Sequence, residues 1–206
     1  CLSLYVMEGW HLDLSTPFVY TSDGIWISAV IKGLIDGTWY FSNGNIGFPF
    51  GSDLYDFPMS DSGNFLILKI LGVISGDYAH ALNLYYLLGF PVTALVSYFV
   101  FRSFSVSRTL SFTGAFIFAF IPFHFLRLGH LFFTWYFVVP LFAWYGLRIS
   151  ENAPLFFSDA ESRRSKIVSV LILFALSSFG VYYAFFGVLI MLAAGCIASL
   201  QLRSKK

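Results

Sequence analysis

The stretch that decides the fold runs over residues 78–101 and reads YAHALNLYYLLGFPVTALVSYFVF. It contains no Asp, Glu, Lys or Arg. A helix needs about 20 mostly apolar residues to cross the hydrocarbon core of a bilayer. This stretch therefore predicts a membrane-spanning helix, and Asp77, directly before it, is a suitable N-cap.

The rest of the chain has the same apolar character. Of its 206 residues, 58% are hydrophobic, 21% are aromatic and only 11% are charged. Soluble proteins are roughly 45–50% apolar and about 25% charged. The composition excludes a soluble domain, a disordered chain, collagen and a coiled coil. The formal charge of +1 gives no reason to expect a nucleic-acid partner.

Further apolar stretches predict about four more spanning helices, so the membrane part covers residues 78–206. The stretch 167–180 is short, and we expect a hairpin at Ser177–Gly180 because 167–202 is too long for one span. Residues 1–7 read as the end of a truncated earlier span, which makes the chain a fragment in this interpretation. The additional predicted spans are 109–126 (with a kink at Pro122), 131–149, 167–180 and 181–202.

Two other apolar stretches are too short to cross a membrane. Residues 24–35 and 65–75 each contain one lysine, and we expect both to be interfacial helices lying on the bilayer. For 65–75, a buried or re-entrant segment is the alternative.

The basic and acidic residues are predicted to concentrate on opposite sides of the membrane. Alternating spans place nine of the 12 basic residues on one side, which the positive-inside rule makes cytoplasmic. Segment 8–77 is then non-cytoplasmic and holds eight of the 11 acidic residues. The expected architecture is all-α: a polytopic transmembrane bundle that follows a large outer loop, residues 1–77. The nine basic residues are Arg102, Arg108, Arg148, Arg163, Arg164, Lys166, Arg203, Lys205 and Lys206.

The outer loop holds the first candidate site. Asp53, Asp56 and Asp61 place three carboxylates within nine residues. Carboxylates are ligands of hard cations such as Mg²⁺ or Mn²⁺, and such a cation would neutralise a phosphate leaving group. The alternative is that each caps a turn or a helix. Asp23 stands apart, either as the N-cap of the first short helix or as a catalytic base or metal ligand.

Two further outer patches carry polar groups. His124, Arg127 and His130 follow one another at intervals of three, so one helical face would present them together. Arg binds phosphate bidentately, which makes this a candidate donor site; interfacial snorkelling is the alternative. Tyr182 and Tyr183 would contact a sugar or a headgroup, unless they belong to an ordinary aromatic belt.

This plan, with an acidic first outer loop, short surface helices and many spans, resembles the GT-C superfamily of integral-membrane glycosyltransferases. More narrowly, several stretches resemble bacterial multi-spanning membrane proteins of that type. The likeness covers roughly residues 10–190, although the usual acidic pair or Asp-x-Asp is absent unless Asp53 and Asp56 replace it. The stretches that carry it are 20–24 (YTSDG), 45–51 (NIGFPFG), 56–61 (DFPMSD), 127–130 (RLGH) and 180–186 (GVYYAFF).

The resemblance implies transfer of a sugar from a polyprenyl-phosphate donor to a glycan or lipid acceptor on the non-cytoplasmic face of a bacterial inner membrane. An acidic residue of the first outer loop serves such enzymes as base or metal ligand, and Asp23 is the best positional match. Arg127 and His130 would then bind the donor phosphate. The alternatives are a transporter or lipid-linked sugar flippase, and a non-catalytic subunit of envelope polysaccharide assembly.

Overall fold

The computed structural model describes residues 11–21, 23–37, 39–45, 47–53, 61–153, 155 and 163–204. This part of the chain is all-α apart from one antiparallel pair of two-residue strands, β1 (Ser42–Asn43) and β2 (Ser52–Asp53). The helices are α1 (Asp23–Ile35), α2 (Ser62–Ser75), α3 (Tyr78–Ser103), α4 (Arg108–Ala119), α5 (Pro122–Leu126), a 3₁₀ helix (Leu128–Thr134), α6 (Val138–Ser150), α7 (Arg163–Ser177) and α8 (Val181–Ser204).

Four helical stretches among the described residues are long and apolar enough to cross a membrane. They match four of the five predicted spans. The fifth, predicted at 167–180, is α7, whose 15 residues rise only about 22 Å. Residues 1–7 lie outside the described residues. The four stretches are Tyr78–Ser103, Arg108–Leu126, Leu128–Ser150 and Val181–Arg203.

Local signals in the sequence set several helix ends. The Asp77 carboxylate accepts a hydrogen bond from His80 N at 3.0 Å, which confirms the predicted N-cap of α3. The apolar run 109–126 divides before Pro122, which starts α5 instead of continuing α4. Gly180, with φ of +123°, separates α7 from α8, as the predicted hairpin requires.

The two short outer helices pack into the main core rather than lying singly on a surface. In α1, Ile27, Ile31 and Leu34 recur at helical spacing and are buried. They meet the buried face of α2 and the first turns of α3. The Lys69 ammonium donates to the carbonyls of Leu34 and Ile35. It therefore caps the C-terminus of α1, where a cation is favourable.

The opposite face of α2 is apolar but exposed. Leu66, Ile70, Val73 and Ile74 expose 46–75% of their surface, whereas Phe65 and Leu68 are buried. The helix is thus apolar on both faces and buries only one of them against the protein.

The segment before α1 is tied to α3 by one buried amide. The Asn83 Oδ1 accepts from Phe18 N, and its Nδ2 donates to the carbonyls of Leu14 and Thr16. All three bonds are between 2.8 and 3.1 Å long. The approach of the chain to Asp23 is therefore fixed by a side chain of α3.

Candidate functional site

Most of the predicted site residues that the structure describes gather at one end of the bundle. We call it the loop end: the end where α3, α6 and α8 begin. Contacts between the elements define it. Trp135 Nε1 donates to the Tyr85 carbonyl at 2.8 Å, and Gly63 N donates to the Ser178 carbonyl at 2.9 Å. These bonds bring together the starts of α2, α3 and α6 and the junction between α7 and α8.

Asp23 and His130 form a pair that joins two distant parts of the chain. Asp23 is the first residue of α1, and its Oδ2 lies 3.1 Å from His130 Nε2. The side chains are 61% and 47% exposed, so reactants can approach both. A helix N-terminus favours a carboxylate. The arrangement is a carboxylate oriented by an imidazole, which is suited to accepting a proton from a substrate.

The backbone around His130 holds its ring in this position. Its N–H donates to the Arg127 carbonyl at 2.9 Å, and its φ and ψ of −114° and 64° interrupt the 3₁₀ helix. The His130 ring stacks on Phe133, with centroids 5.8 Å apart and planes 9° from parallel. His130 is thus fixed from two sides before it meets Asp23.

Phe133 also contacts both tyrosines predicted for the site. The rings of Tyr182 and Tyr183 meet Phe133 edge-on, at centroid distances of 5.7 and 6.2 Å. The Tyr183 hydroxyl donates to the Phe133 carbonyl at 2.7 Å, whereas Tyr182 is 59% exposed. Together Phe133, Tyr182, Tyr183 and His130 form what we call the aromatic platform.

Asp61 lies close to Gly180, which precedes the two tyrosines of this platform. A Cβ on Gly180 would be 3.8 Å from Asp61 Oδ1 and 3.3 Å from the Tyr183 ring. Burial raises the pKa of the Asp61 carboxyl group, and a hydrogen bond from Asn64 Nδ2, 2.9 Å long, lowers it in part. Asn64 Oδ1 in turn accepts from the Tyr85 hydroxyl at 2.7 Å.

His124 and Arg127 do not share a surface. His124 is fully buried and stacks on Phe90 with a centroid distance of 3.6 Å. Gly89 makes room for it, because a Cβ there would be 2.9 Å from the imidazole Cε1. Arg127 is exposed, and its guanidinium carbon lies 5.5 Å from the Phe123 ring centroid. The helical face expected to present His124, Arg127 and His130 together is interrupted because α5 ends at Leu126.

The predicted metal ligands are only partly described. Asp53 is exposed in β2, where it pairs in register with Ser42. Asp61 receives its hydrogen bond from Asn64, and Asp56 lies outside the described residues. Within the described ranges, no group of three or more His, Cys, Asp or Glu side chains could hold a metal ion. The expected Mg²⁺ or Mn²⁺ stays a prediction.

Three residues that contribute to this geometry were not predicted for it. Phe133 is one of 26 phenylalanines, and nothing in the sequence distinguishes it from the others. Asn64 and Tyr85 lie 21 residues apart and meet only in the folded chain. Asn64 ends the polar run 60–64 and directly precedes the apolar run 65–68, so nothing in the sequence distinguished it from an ordinary turn residue.

Comparison of the chain with models of protein families, with curated proteins and with solved structures finds no match.

Proposed function

We propose that this chain is a membrane glycosyltransferase, or part of one, that transfers a sugar from a polyprenyl-phosphate donor on the non-cytoplasmic face of a bacterial inner membrane. The observation that carries the proposal is the Asp23–His130 pair beside the aromatic platform. An oriented carboxylate, stacking surfaces and a nearby arginine are the groups that sugar transfer from a phosphate donor requires.

In the proposed reaction, Asp23 accepts the proton of an acceptor hydroxyl group. The hydroxyl oxygen forms a bond to the anomeric carbon of the donor sugar, and the bond from that carbon to the phosphate oxygen breaks. Polyprenyl phosphate leaves with the electron pair. A correctly placed general base contributes typically 10²–10⁴-fold to such a step. Because the His130 imidazole contacts the carboxylate, we assign it to orienting Asp23 rather than to the donor phosphate.

The neighbouring groups fit the two halves of the donor. Exposed aromatic rings such as Tyr182 offer apolar faces against which a sugar ring can pack. Arg127, exposed and three residues from His130, would bind the phosphate and balance the charge of the leaving group. The acceptor, a glycan or a lipid, would then enter from the side of Asp23.

The distribution of charge supports a membrane orientation with the loop end outside. Arg102, Arg108, Arg148 and Arg203 lie at the opposite ends of the spanning helices. Asp23, Asp61 and Asp77 lie at the loop end. Basic residues concentrate on the cytoplasmic side of inner-membrane proteins.

A transporter or flippase is supported less well. It would need available polar groups along the midplane. Among the described residues, Asn83 and Ser111 are hydrogen-bonded to backbone carbonyls, and His124 packs among aromatic rings. The hydroxyl groups of Thr93 and Ser97 have no hydrogen-bond partner there, but they are buried and uncharged. The exposed polar groups of the proposed site, Asp23, Arg127 and His130, lie at the loop end, which favours surface chemistry over passage through the bundle.

The test is sugar transfer by the full-length protein in proteoliposomes, with a radiolabelled polyprenyl-phosphate sugar as donor. We expect Asp23→Asn to lower kcat by about 10²-fold or more. His130→Gln should lower kcat with little change in the donor KM. The control is Asp36→Asn, because Asp36 pairs with Lys32 at the other end of α1, about 20 Å from Asp23.

Two outcomes would overturn these assignments. If a well-expressed Asp23→Asn protein transferred sugar at the normal rate, Asp23 would not be the general base. A raised donor KM with unchanged kcat in His130→Gln would return His130 to the phosphate site.

A further inference from the structure

The loop between α1 and α2 contains a hairpin, and two phenylalanines at its tip have almost no contact with the protein. Phe48 and Phe50 are 97% and 96% exposed. They flank Pro49 at the tip of the hairpin formed by β1 and β2, which we call the Phe hairpin (residues 39–45 and 47–53). Large apolar side chains are exposed singly on many proteins, but two side by side with nearly all of their surface free mark a contact surface.

The tip is held in shape by glycine. Gly47 has φ of +77°, and a Cβ on it would lie 2.3 Å from the Gly51 carbonyl oxygen. Phe50 N donates to the Gly47 carbonyl at 3.1 Å. The turn therefore closes tightly between the two glycines and projects the phenylalanine side chains outward.

The base of the hairpin is fixed to the outer helices. Tyr40 is buried and stacks on Phe65 of α2, with centroids 4.0 Å apart, and its hydroxyl lies 2.7 Å from Ser62 Oγ. The Asn43 amide fills the space next to Gly33 of α1, where a Cβ would be 1.9 Å from Nδ2. The tip is thus carried by a base that is packed against two helices.

The composition of the hairpin suits an apolar environment. Apart from Asp53, which pairs with Ser42 at the base, the hairpin includes no Asp, Glu, Lys, Arg or His. Trp39 and Phe41, near the base, are also more than one third exposed. Aromatic residues are favoured at the boundary between lipid and water, where a charged residue would oppose entry.

The position of the hairpin favours lipid over another protein as its partner. Its base packs on the start of α2, and Gly63 is hydrogen-bonded to Ser178 just before the spanning helix α8 begins. The hairpin is therefore held near the level where the spanning helices leave the membrane. The same region presents the exposed apolar face of α2, formed by Leu66, Ile70, Val73 and Ile74.

We propose that the Phe hairpin inserts Phe48 and Phe50 into the outer leaflet of the bilayer that the four long helices cross, and so anchors the outer loop to the lipid surface. The insertion depends on the four helices being in the membrane but not on the proposed glycosyl transfer. It would hold α1 and α2, and with them Asp23 and Asp61, at the height of lipid-linked molecules.

The test measures the depth of single nitroxide labels in liposomes of phosphatidylethanolamine and phosphatidylglycerol. Labels are attached to Phe48→Cys, to Phe50→Cys and, as the matched control at the hairpin base, to Ser42→Cys. Cys1 and Cys196 are first replaced by Ser and Ala. Oxygen concentrates in the lipid interior, and a water-soluble nickel chelate stays outside it. We expect oxygen to relax the labels at 48 and 50 strongly and the nickel chelate to relax them weakly. At 42 we expect weak relaxation by oxygen and strong relaxation by nickel.

Two results would overturn the proposal. Strong relaxation of both tip labels by nickel would place them in water. Protection from nickel and oxygen together would place them against protein, either a second copy or another chain. Hydroxyl-radical footprinting of the unmodified protein in the same liposomes covers the case in which a labelled variant fails to fold. Phe48 and Phe50 should then be oxidised much less than Tyr20, which is 61% exposed, and equal oxidation would contradict insertion.

Discussion

The carboxyl group of Asp61 shows how a single residue responds to its surroundings. Its pKa is raised, chiefly because burial disfavours the charged form. A group with a raised pKa in the folded state stabilises the fold fully below the pKa of the unfolded chain. That contribution is lost as the pH rises through the folded value.

We therefore predict that Asp61→Asn becomes more stable relative to the unmodified protein as the pH rises from about 4 to about 7. The amide cannot ionise, yet its oxygen can still accept the hydrogen bond from Asn64. Thermal unfolding in detergent at several pH values measures the difference. A difference that stays constant over this range would show that Asp61 titrates as it does in the unfolded chain.

Asp77 is the matched control, because its shift has the opposite sign. Hydrogen bonding from His80 N, the largest cause, lowers its pKa. A lowered pKa contributes stability above the unfolded value that is lost as the pH falls through the folded one. Asp77→Ala should cost about 1 kcal/mol of stability at neutral pH through loss of the N-cap. The cost should shrink on acidification, whereas a cost independent of pH would contradict the assignment.

At the scale of elements, α3 controls the segment that leads to Asp23. We predict that Asn83→Ala lowers the free energy of unfolding by about 1–3 kcal/mol, because it removes three partly buried hydrogen bonds. Hydrogen exchange at the Phe18 amide, which donates to Asn83, should become faster. Thr93→Val is the control on the same helix. The Thr93 hydroxyl is buried and has no hydrogen-bond partner among the described residues, so its removal should cost little.

If Asn83→Ala left hydrogen exchange at the Phe18 amide unchanged, the Asn83 side chain would not be the group that fixes residues 14–18. Asn83→Asp should cost more than Asn83→Ala, because an ionised carboxylate would be buried against two carbonyl oxygens. It keeps the acceptor for Phe18 N and loses both donors to the carbonyls of Leu14 and Thr16.

The elements also show what the sequence could and could not predict. Hydropathy and length gave four long helices correctly, and Asp77 and Gly180 marked their ends, because these signals are local. Hydropathy does not distinguish a lipid-facing side chain from a core side chain. In the apolar stretch of α8, only 17% of the residues are buried, whereas 44% are buried in that of Leu128–Ser150. For this reason the packing of α1 into the core was missed, and the burial of α2 was predicted only as the alternative.

For the candidate site, the sequence predicted several of the residues but not the contacts between them. Asp23 and His130 were both named from their local context, but their contact joins residues far apart in the chain, and one sequence carries no signal for such a pair. His124 was placed on a surface because helical spacing was extended past Leu126, where the helix ends. The side chain instead fills a gap left by Gly89.

At the scale of the whole molecule, charge divides the bundle into two ends. The described loop between α3 and α4, residues 104–107, lies between Arg102 and Arg108 at the basic end. Asp36 and the Phe hairpin belong to the region between α1 and α2, on the acidic side. Because positive charge near short loops fixes orientation, these two regions should face opposite sides of the membrane.

We predict that Asp36→Cys reacts with a membrane-impermeant maleimide added to intact cells, and that Ser105→Cys reacts only after the membrane is opened. Both positions are exposed, so poor access within the protein does not explain a lack of labelling. The background lacks Cys1 and Cys196, and a denatured sample of each variant shows that the thiol is reactive. Labelling of both positions from the same side would contradict the orientation. If Asp36→Cys reacted only after the membrane is opened, the aspartates of the proposed site would face the wrong compartment for a donor on the non-cytoplasmic face. This experiment therefore tests the premise on which the whole functional proposal depends.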